Sequence, residues 1–310
     1  MLRYIAKRFL LLIPVIIGVS ALVFFIMAFA PGDPAAILLG TDAKPEAVEA
    51  LREELGFNDP VIVQYGRYMK NLIHGDMGVS YTSKRPVFEE YMSRFPATLK
   101  LTFWSMVVAL FISIPIGIVS AVKQYSLLDN VGMVAALAGL SIPNFWLGLL
   151  LVLLFALNLG WLPSGGATEP GSVILPAITL GTGLAASIVR TTRSSMLEVI
   201  RQDYIRTARA KGVSEKKVII RHALRNALIP IITIICIQFA LTLAGAATTE
   251  VVFSWPGIGR LTIDAINHKD RPLAIGCLIM TAIIISLANM LMDIIYALVD
   301  PRIRIARQKA

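Results

Sequence analysis

Residues 190–226 read RTTRSSMLEVIRQDYIRTARAKGVSEKKVIIRHALRN, a stretch with ten Lys and Arg residues between two long apolar runs. Strong helix formers run from Ser195 to Gly212, and glycine is the residue best suited to a left-handed helix stop. Ser214 is a good N-cap for a second helix, which continues through His222 towards the next apolar run. The pattern predicts a helix, a glycine turn and a second helix, joined to an apolar segment at each end.

Such a hairpin suits the docking of a partner protein, because it is short, stiff and continuous with the segments on both sides. A partner that moves the hairpin would move both neighbouring segments, provided that they have two stable arrangements. The alternative is a basic loop that only fixes the orientation of the chain. A flexible loop would do that without helix formers, a glycine stop and a capped restart, so docking is the favoured interpretation.

Six apolar runs are long enough to cross a lipid bilayer. A helix needs about 20 apolar residues to span a hydrocarbon core of roughly 30 Å. The first run is too long for the hydrophobic part of a signal peptide and no small-residue cleavage site follows it, so we interpret it as a retained helix. The predicted fold class is an all-α membrane protein with six transmembrane helices. The runs are Phe9–Ala30, Leu101–Val122, Val131–Leu159, Val173–Val189, Ala227–Ala247 and Leu273–Val299.

The composition also favours a membrane protein over a soluble or disordered one. Of the 310 residues, 56% are hydrophobic and 16% are charged, whereas a soluble domain has about 25% charged residues. A net charge of +9 could suggest a nucleic-acid partner. With six spans and the N-terminus inside, however, the inner segments hold 18 Lys and Arg against 5 Asp and Glu, and the outer segments 11 against 14. This bias follows the positive-inside rule, which predicts that both termini are cytoplasmic and that no nucleic acid is needed to explain the charge.

The first outer segment, about 31–97, is too long for a simple turn. Pro45–Gly56 predicts a short helix, because proline lies near its start, acids fill its first turn and glycine follows its end. Pro60–Ile73 predicts a second helix with its apolar residues on one stripe. We expect a small helical extracytoplasmic cap that packs on the membrane domain. The stripe consists of Val61, Tyr65, Tyr68 and Leu72.

No pattern in the sequence is typical of a catalytic or metal site. There is no GxxxxGK[ST] phosphate loop, no HExxH and no GxSxG. The three histidines fall on three different loops, and Cys236 and Cys277 lie in separate apolar runs. Asp293 is the one acid within a span, and it has no second acid or histidine with which to form a catalytic pair or an ion relay. We therefore predict no enzyme, with an autonomous channel or secondary carrier as the alternative from another class.

Five motifs, spread over almost the whole chain, occur together in one family of membrane proteins. They are Pro31–Pro34 (PGDP), Asp203–Gly212 (DYIRTARAKG), His222–Ala227 (HALRNA), Phe253–Arg260 (FSWPGIGR) and Asp300–Arg302 (DPR). In these motifs the chain resembles the permease subunit of a bacterial ABC importer of the dipeptide, oligopeptide and nickel group, first-permease type. Glutathione permeases of the same group are also similar. The resemblance implies the fold of type I importer permeases, with a small helical extracytoplasmic segment after the first helix.

The wider importer family carries a cytoplasmic motif, Glu-Ala-Ala-x3-Gly-x9-Ile-x-Leu-Pro, that docks the ATPase. Aligned on Gly212, the chain matches this motif at Ala208 and Leu224, whereas Arg206 stands at the Glu position. The peptide-type branch departs from the motif in this way, so the docking role is carried over but no specific salt bridge is. The residues that the resemblance assigns to ATPase coupling are Asp203, Tyr204, Arg206, Thr207, Ala208, Arg209, Lys211, Gly212 and Leu224.

A permease of this family has no catalytic residues of its own. Two homologous permeases form the pathway, two ABC ATPases bind ATP and Mg²⁺ on the cytoplasmic side, and an extracytoplasmic solute-binding protein delivers substrate. The resemblance implies the same assembly here, in the bacterial inner membrane and with no cofactor on this chain. The implied substrates are di- or oligopeptides, with glutathione and nickel or a nickel chelate as alternatives. The implied parts are a helix over 1–30, the segment 31–97 and a core over 98–310 with the hairpin 190–226, in which residues 203–225 couple to the ATPases.

The last outer loop, 251–271, is the candidate contact for the binding protein. Trp255, Pro256 and Gly257 would present an exposed aromatic ring on a tight turn, which is a suitable anchor at a protein interface. The alternative is an aromatic anchor at the membrane boundary. Trp161 has the same two interpretations.

Overall fold

The computed structural model describes residues 2–29, 33–40 and 43–299, which are mostly α-helical and form no β-strand. The predicted motif residues Pro31, Gly32 and Asp300–Arg302, and the side chain of Asp293, lie outside the described residues. The helices are α1 (Leu2–Phe29), α2 (Pro34–Leu39), α3 (Pro45–Glu54), α4 (Val61–Ile73), α5 (Val87–Val122), α6 (Leu127–Ser141), α7 (Asn144–Leu151), α8 (Ile174–Ile200), α9 (Asp203–Ala210), α10 (Glu215–Lys217), α11 (Arg225–Leu243), α12 (Ala247–Val252), α13 (Ile258–Asn267) and α14 (Arg271–Val299).

Five helical segments of the described chain are long and apolar enough to cross a membrane, and a broken pair raises the number to six. The predicted all-α architecture with six spans is confirmed in this form. The predicted span over Val131–Leu159 is a broken one, because α6 and α7 meet at a bend of 98°. Pro143 causes the bend, since it lacks a backbone N–H and disfavours the helical conformation in the residue before it. Ile142 accordingly has φ −80° and ψ 120°.

The chain forms two compact units. Of the described residues, the first unit contains those up to Thr98 together with Pro256–Leu287, and the second contains Leu99–Trp255 together with those from Ala288 to Val299. The predicted parts 1–30, 31–97 and 98–310 stay predictions. The grouping of Pro256–Leu287 with the N-terminal part was not expected, because contacts between residues so far apart leave no local signal.

In the first unit, helix α4 of the predicted cap packs with the predicted face inward. Its stripe of Val61, Tyr65, Tyr68 and Leu72 is half-buried around Phe24 of α1 and Ile275 and Ile279 of α14. The predicted stripe is thereby confirmed. Burial of such apolar area stabilises the contact by about 25 cal/mol per Å² removed from water, so this stripe helps to hold α4 on α1 and α14.

In the second unit, α8 is the central helix, against which α6, α7 and α11 all pack. Helix α5 also comes close to α8, at Gly181. A Cβ added there would lie 2.8 Å from the carbonyl oxygen of Ser105 and from Cβ of Val108. Glycine is therefore required for close contact of the two backbones, which is the usual reason for small residues between membrane helices.

Candidate functional site

The predicted hairpin begins with a break in the chain. After α8, Gln202 is extended, with φ −72° and ψ 149°, and α9 starts at the next residue. The prediction of one helix from Ser195 to Gly212 is therefore wrong. The new helix has Asp203 in its first turn and Arg209 in its last turn, so both charges interact favourably with the helix dipole.

The helix α9 has one buried face and one exposed face. Ile205 is fully buried, and it packs in one cluster with Met196 of α8 and with Val218 and Ala223 of the second arm. This packing connects α9 to the ends of two membrane spans. Of the predicted coupling residues, Asp203, Tyr204, Arg206, Thr207, Arg209, Lys211 and Gly212 are exposed, and Ala208 and Leu224 are half-buried.

Gly212 ends α9 in the left-handed conformation, with φ 76°. Its N–H donates to the carbonyl of Arg209 at 2.9 Å, and the N–H of Val213 donates to the carbonyl of Ala208 at 3.3 Å. This pair of bonds is the Schellman motif, in which a hydrophobic contact usually accompanies the turn. Val213 and Ala208 both pack on the cluster around Ile205. The predicted glycine stop is confirmed.

Polar contacts join the two arms of the hairpin. The guanidinium of Arg209 donates to both carboxylate oxygens of Glu215, with Nη2–Oε1 at 2.7 Å and Nε–Oε2 at 3.1 Å. Hydrogen bonding to Glu215 raises the pKa of Arg209, which therefore stays charged. At the other end, Nδ2 of Asn226 donates to the hydroxyl oxygen of Tyr204 at 2.8 Å. The arms are thus held together on both sides of the buried Ile205.

The second arm runs directly into a membrane span, as predicted. Ser214 occupies the predicted N-cap position, although its side chain makes no capping hydrogen bond. The short helix α10 continues as a π-helical segment, Val218–Leu224, and then as α11. A π-helical turn is rare and occurs often at functional sites, because it changes the face that the following helix presents. Here it lies between the turn of the hairpin and the span.

A second polar contact, which the sequence did not reveal, stabilises the end of α8. The guanidinium of Arg193 binds the carboxylate of Asp129 through two bonds, with Nε–Oδ1 at 2.7 Å and Nη2–Oδ2 at 2.8 Å. The backbone N–H of Tyr125 donates to the same carboxylate, and Arg201 donates to Gln124 at 3.2 Å. The signal that could have predicted this brace is an acid at the start of an apolar run, opposite a basic segment.

The prediction of an exposed aromatic ring at Trp255 is wrong. Trp255 is 0% exposed, and its backbone N–H donates to the backbone carbonyl of Glu250 at 2.8 Å. The ammonium of Lys100 lies 5.8 Å from the ring centroid, a distance at which a cation is attracted to the face of an aromatic ring. The next two residues of the predicted contact, Pro256 and Gly257, are half-buried and buried. The ring therefore stabilises the turn from within and is no surface anchor.

Trp161 differs from Trp255, since it is 69% exposed. Its loop is tied to the turn before Trp255, because the N–H of Gly166 donates to the carbonyl of Phe253 at 2.8 Å. The two interpretations of Trp161, a contact for a binding protein and an anchor at the membrane boundary, both stay predictions. So do the roles assigned to the residues of the hairpin.

Two family descriptions together cover almost the whole chain. Residues 113–305 match the family described as "Binding-protein-dependent transport system inner membrane component". Residues 1–102 match the family described as "Binding-prot-dependent transport system membrane comp, N-term". The second match contains α1 and the predicted cap, and the first contains the hairpin.

Curated relatives are similar over their full length. The chain is 44% identical to the "Dipeptide transport system permease protein DppB" of Alkalihalophilus pseudofirmus, over 98% of this chain and 100% of that protein. It is 43% identical to the "Glutathione transport system permease protein GsiC" of Salmonella paratyphi A, over 98% of this chain and 99% of that protein. The protein of the same name from Escherichia coli K12 gives the same identity.

Solved structures agree in fold. An inward-facing form of the MetNI methionine ABC transporter matches with a TM-score of 0.58 at 20% identity, over 68% of this chain and 96% of that chain. An amino acid ABC transporter with histidines matches with a TM-score of 0.52 at 15% identity, over 69% and 94%. Together with the apolar helices, these matches identify a multi-pass inner-membrane permease with the type I importer fold, and the chain belongs to the family of inner membrane components of binding-protein-dependent transport systems.

Proposed function

We propose that this chain forms half of the translocation pathway of an ATP-driven importer for di- and oligopeptides. The names of the relatives support peptide-like substrates, since one is a dipeptide permease and another a glutathione permease. Glutathione is therefore the first alternative, and nickel or a nickel chelate the second. Transport by the chain alone, as a carrier or channel, is the alternative from another class.

The proposed partners are those of the importer assembly. A second homologous permease completes the pathway, a solute-binding protein delivers substrate from outside, and two ATPases hydrolyse ATP with Mg²⁺ on the cytoplasmic side. The chain itself needs no cofactor in this scheme. The excess of Lys and Arg in the inner segments supports cytoplasmic positions for both termini.

The observation that carries the proposal is the burial of Ile205 beneath an otherwise exposed helix. Most of the surface of α9 is open to a partner, whereas its one buried residue contacts the end of α8 and the start of the second arm. A force on α9 would therefore reach two spans through packed side chains. Closure of the ATPases on ATP binding would pull the hairpin and shift the spans between two arrangements, as coupling between sites requires.

A photo-crosslinking experiment tests the docking role directly. A benzoyl-phenylalanine at Arg206, whose side chain is 76% exposed, should crosslink to a P-loop ATPase in membranes of the native host. The matched control is the same probe at Lys70, which is exposed on the extracytoplasmic helix α4. We expect no ATPase at Lys70. If the variant with the probe at Arg206 still transports but crosslinks to no ATPase, the hairpin is not the docking site.

Affinity purification in mild detergent tests the assembly and then the substrate. We expect P-loop ATPases and a second permease to accompany the tagged chain. The ligand carried by the associated binding protein, released by denaturation, then distinguishes peptides from glutathione and nickel. Recovery of the chain alone, with substrate flux into liposomes that needs no ATP, would instead support the carrier.

A further inference from the structure

The first unit contains a pocket of about 330 Å³ that has no part in the ATPase docking proposed above. It lies between the extracytoplasmic helix α4, the loop that follows it and the start of α14. The rim carries exposed polar residues, among them Asn71 and Lys84, so the pocket opens to the outside solution. Aromatic side chains form much of the wall: Phe24, Phe57, Tyr68 and Tyr81.

Arg271 lines this pocket as a buried cation without a counter-charge. It is 8% exposed, its Nη1 donates to Oε1 of Gln64 at 3.0 Å, and its Nε has no hydrogen-bond partner. No carboxylate of the described residues lies within 4.0 Å of the guanidinium. The ring of Phe57, 4.9 Å away, compensates the charge only in part. A buried guanidinium offers five N–H donors and is costly to leave unpaired.

The nearby acids are engaged elsewhere. The carboxylate of Asp270, the preceding residue, accepts hydrogen bonds from the Ser80 hydroxyl at 2.6 Å and from the N–H and hydroxyl of Thr82 at 3.0 and 2.8 Å. At the rim, Asp76 accepts from the N–H of Gly78 at 2.7 Å. Neither acid forms an ion pair with the guanidinium.

The other charges around the pocket do not supply an anion either. Lys84 adds a second positive charge at the rim, and the guanidinium of Arg67 is paired with Asp59 outside the pocket. The electrostatic environment of Arg271 therefore favours a negatively charged group brought from solution.

Tyr68 provides a second unused donor in the same pocket. Its hydroxyl oxygen is buried and has no hydrogen-bond partner. Burial raises the pKa of Tyr68, so the hydroxyl keeps its proton at neutral pH and is available to donate. A planar anion that reached both the guanidinium and the hydroxyl would give each of them a partner.

We propose that this pocket binds the carboxylate group of a small organic acid, with the Arg271 guanidinium as its counter-charge and the Tyr68 hydroxyl as a further donor. The guanidinium fork matches the planar carboxylate. The aromatic wall accommodates an apolar group attached to the carboxylate, such as the last residue of a short peptide. All of the residues that line the pocket belong to this chain, so binding can be tested without transport and without a partner protein.

The test is thermal unfolding of the full-length chain, purified in detergent, at constant ionic strength. The probes are sodium acetate, alanyl-phenylalanine and its C-terminal amide, with sodium chloride and inorganic phosphate as anion controls. A ligand that binds only the folded state raises the unfolding temperature in a saturable way. We expect acetate and alanyl-phenylalanine to do so, and the amide, chloride and phosphate to have no saturable effect.

Arg271→Gln should weaken the affinity for acetate about tenfold or more, which is the effect of losing a charge-assisted hydrogen bond. Lys70→Gln is the matched control, because it removes one exposed positive charge of the cap outside the pocket, and it should bind acetate like the wild type. Tyr68→Phe, which removes one oxygen atom, should weaken binding several-fold.

Three results would overturn the proposal. One is the absence of any saturable response in the wild type, and another is an unchanged response in Arg271→Gln. The third is an equal response to chloride or phosphate, which would indicate a general anion site. If Arg271→Gln does not fold, Tyr68→Phe decides the question, and acetate binding unchanged in that variant would also overturn the proposal.

Discussion

Arg209 and Glu215 form a two-pronged ion pair across the turn at Gly212, with the shorter N–O distance at 2.7 Å. The side chains are 39% and 55% exposed, so water and salt screen the pair. An exposed pair of this kind stabilises a protein by less than about 1 kcal/mol. The pair therefore serves to orient the two arms, and the buried cluster beneath them provides most of the stability.

The first prediction concerns this ion pair. Glu215→Gln should lower the unfolding temperature only slightly, and the difference from wild type should shrink as salt is added, because the interaction is screened. Thermal unfolding in low and high salt is the measurement. The exchange Arg209→Glu with Glu215→Arg should restore only part of the loss, because it re-forms the ion pair but places each charge at the unfavourable end of its helix. A large, salt-independent loss in Glu215→Gln would mean that the carboxylate has another role.

The second prediction concerns Gly212. A Cβ at this position would have no atom within 4 Å, so a substitution there meets open space and costs only backbone strain. Gly212→Val should destabilise the turn by about 1–2 kcal/mol, since a β-branched residue disfavours positive φ. Transport in membranes with the native partners should fall, while insertion should not.

The matched control at this position is Gly212→Asn. Asparagine, like valine, adds a side chain at this position, but it tolerates the left-handed conformation. It should therefore transport nearly as well as the wild type. If asparagine and valine impair transport equally, the added side chain itself hinders the partner, and backbone strain is not the cause.

The third prediction concerns Ile205. Its truncation to alanine should destabilise the packing of α9 by about 2–5 kcal/mol, the usual range for a large apolar residue in a core. The ATPases should then hydrolyse ATP with less transport per ATP, because α9 no longer moves the spans. The measurement is transport and ATP hydrolysis in the same proteoliposomes. Ile220→Ala is the control, since Ile220 lies in the second arm but is 53% exposed.

The fourth prediction concerns the brace at the end of α8. The side chain of Asp129 is 2% exposed and that of Arg193 22%, so the pair is far less screened than the pair across the turn. Asp129→Asn removes the negative charge and should cost about 1–3 kcal/mol of stability, because Arg193 loses its charged acceptor. A double-mutant cycle with Arg193→Gln measures the coupling. Additive losses would show that the two residues act separately.

Much of this architecture could be predicted from local sequence. The apolar runs predicted the spans because length and hydrophobicity alone decide whether a helix can cross the bilayer. The stripe on α4 and the stop at Gly212 were equally predictable, since helical periodicity and positive φ are properties of a few adjacent residues. Features that depend only on adjacent residues can thus be predicted from the sequence alone.

The features that were missed depend on partners distant in sequence. Helix propensity alone favours continuation through Gln202, and the packing of Ile205 against Met196 and Val218 is what the break permits. Trp255 was predicted to be exposed because its turn is tight, and its burial depends on residues such as Lys100, far back in the chain. The lack of an ion pair at Arg271 could not be predicted from the sequence, since the neighbouring Asp270 suggests a partner for its charge.

The bend at Pro143 also determines where lipid can reach the protein. Helices α6 and α7, the latter with its π-helical continuation, are each about 22 Å long, so neither crosses the hydrocarbon core alone. Their junction has backbone groups without helical partners, and hydrocarbon cannot replace the missing hydrogen bonds. At hydrocarbon depth, a junction of this kind needs protein or water around it in place of acyl chains.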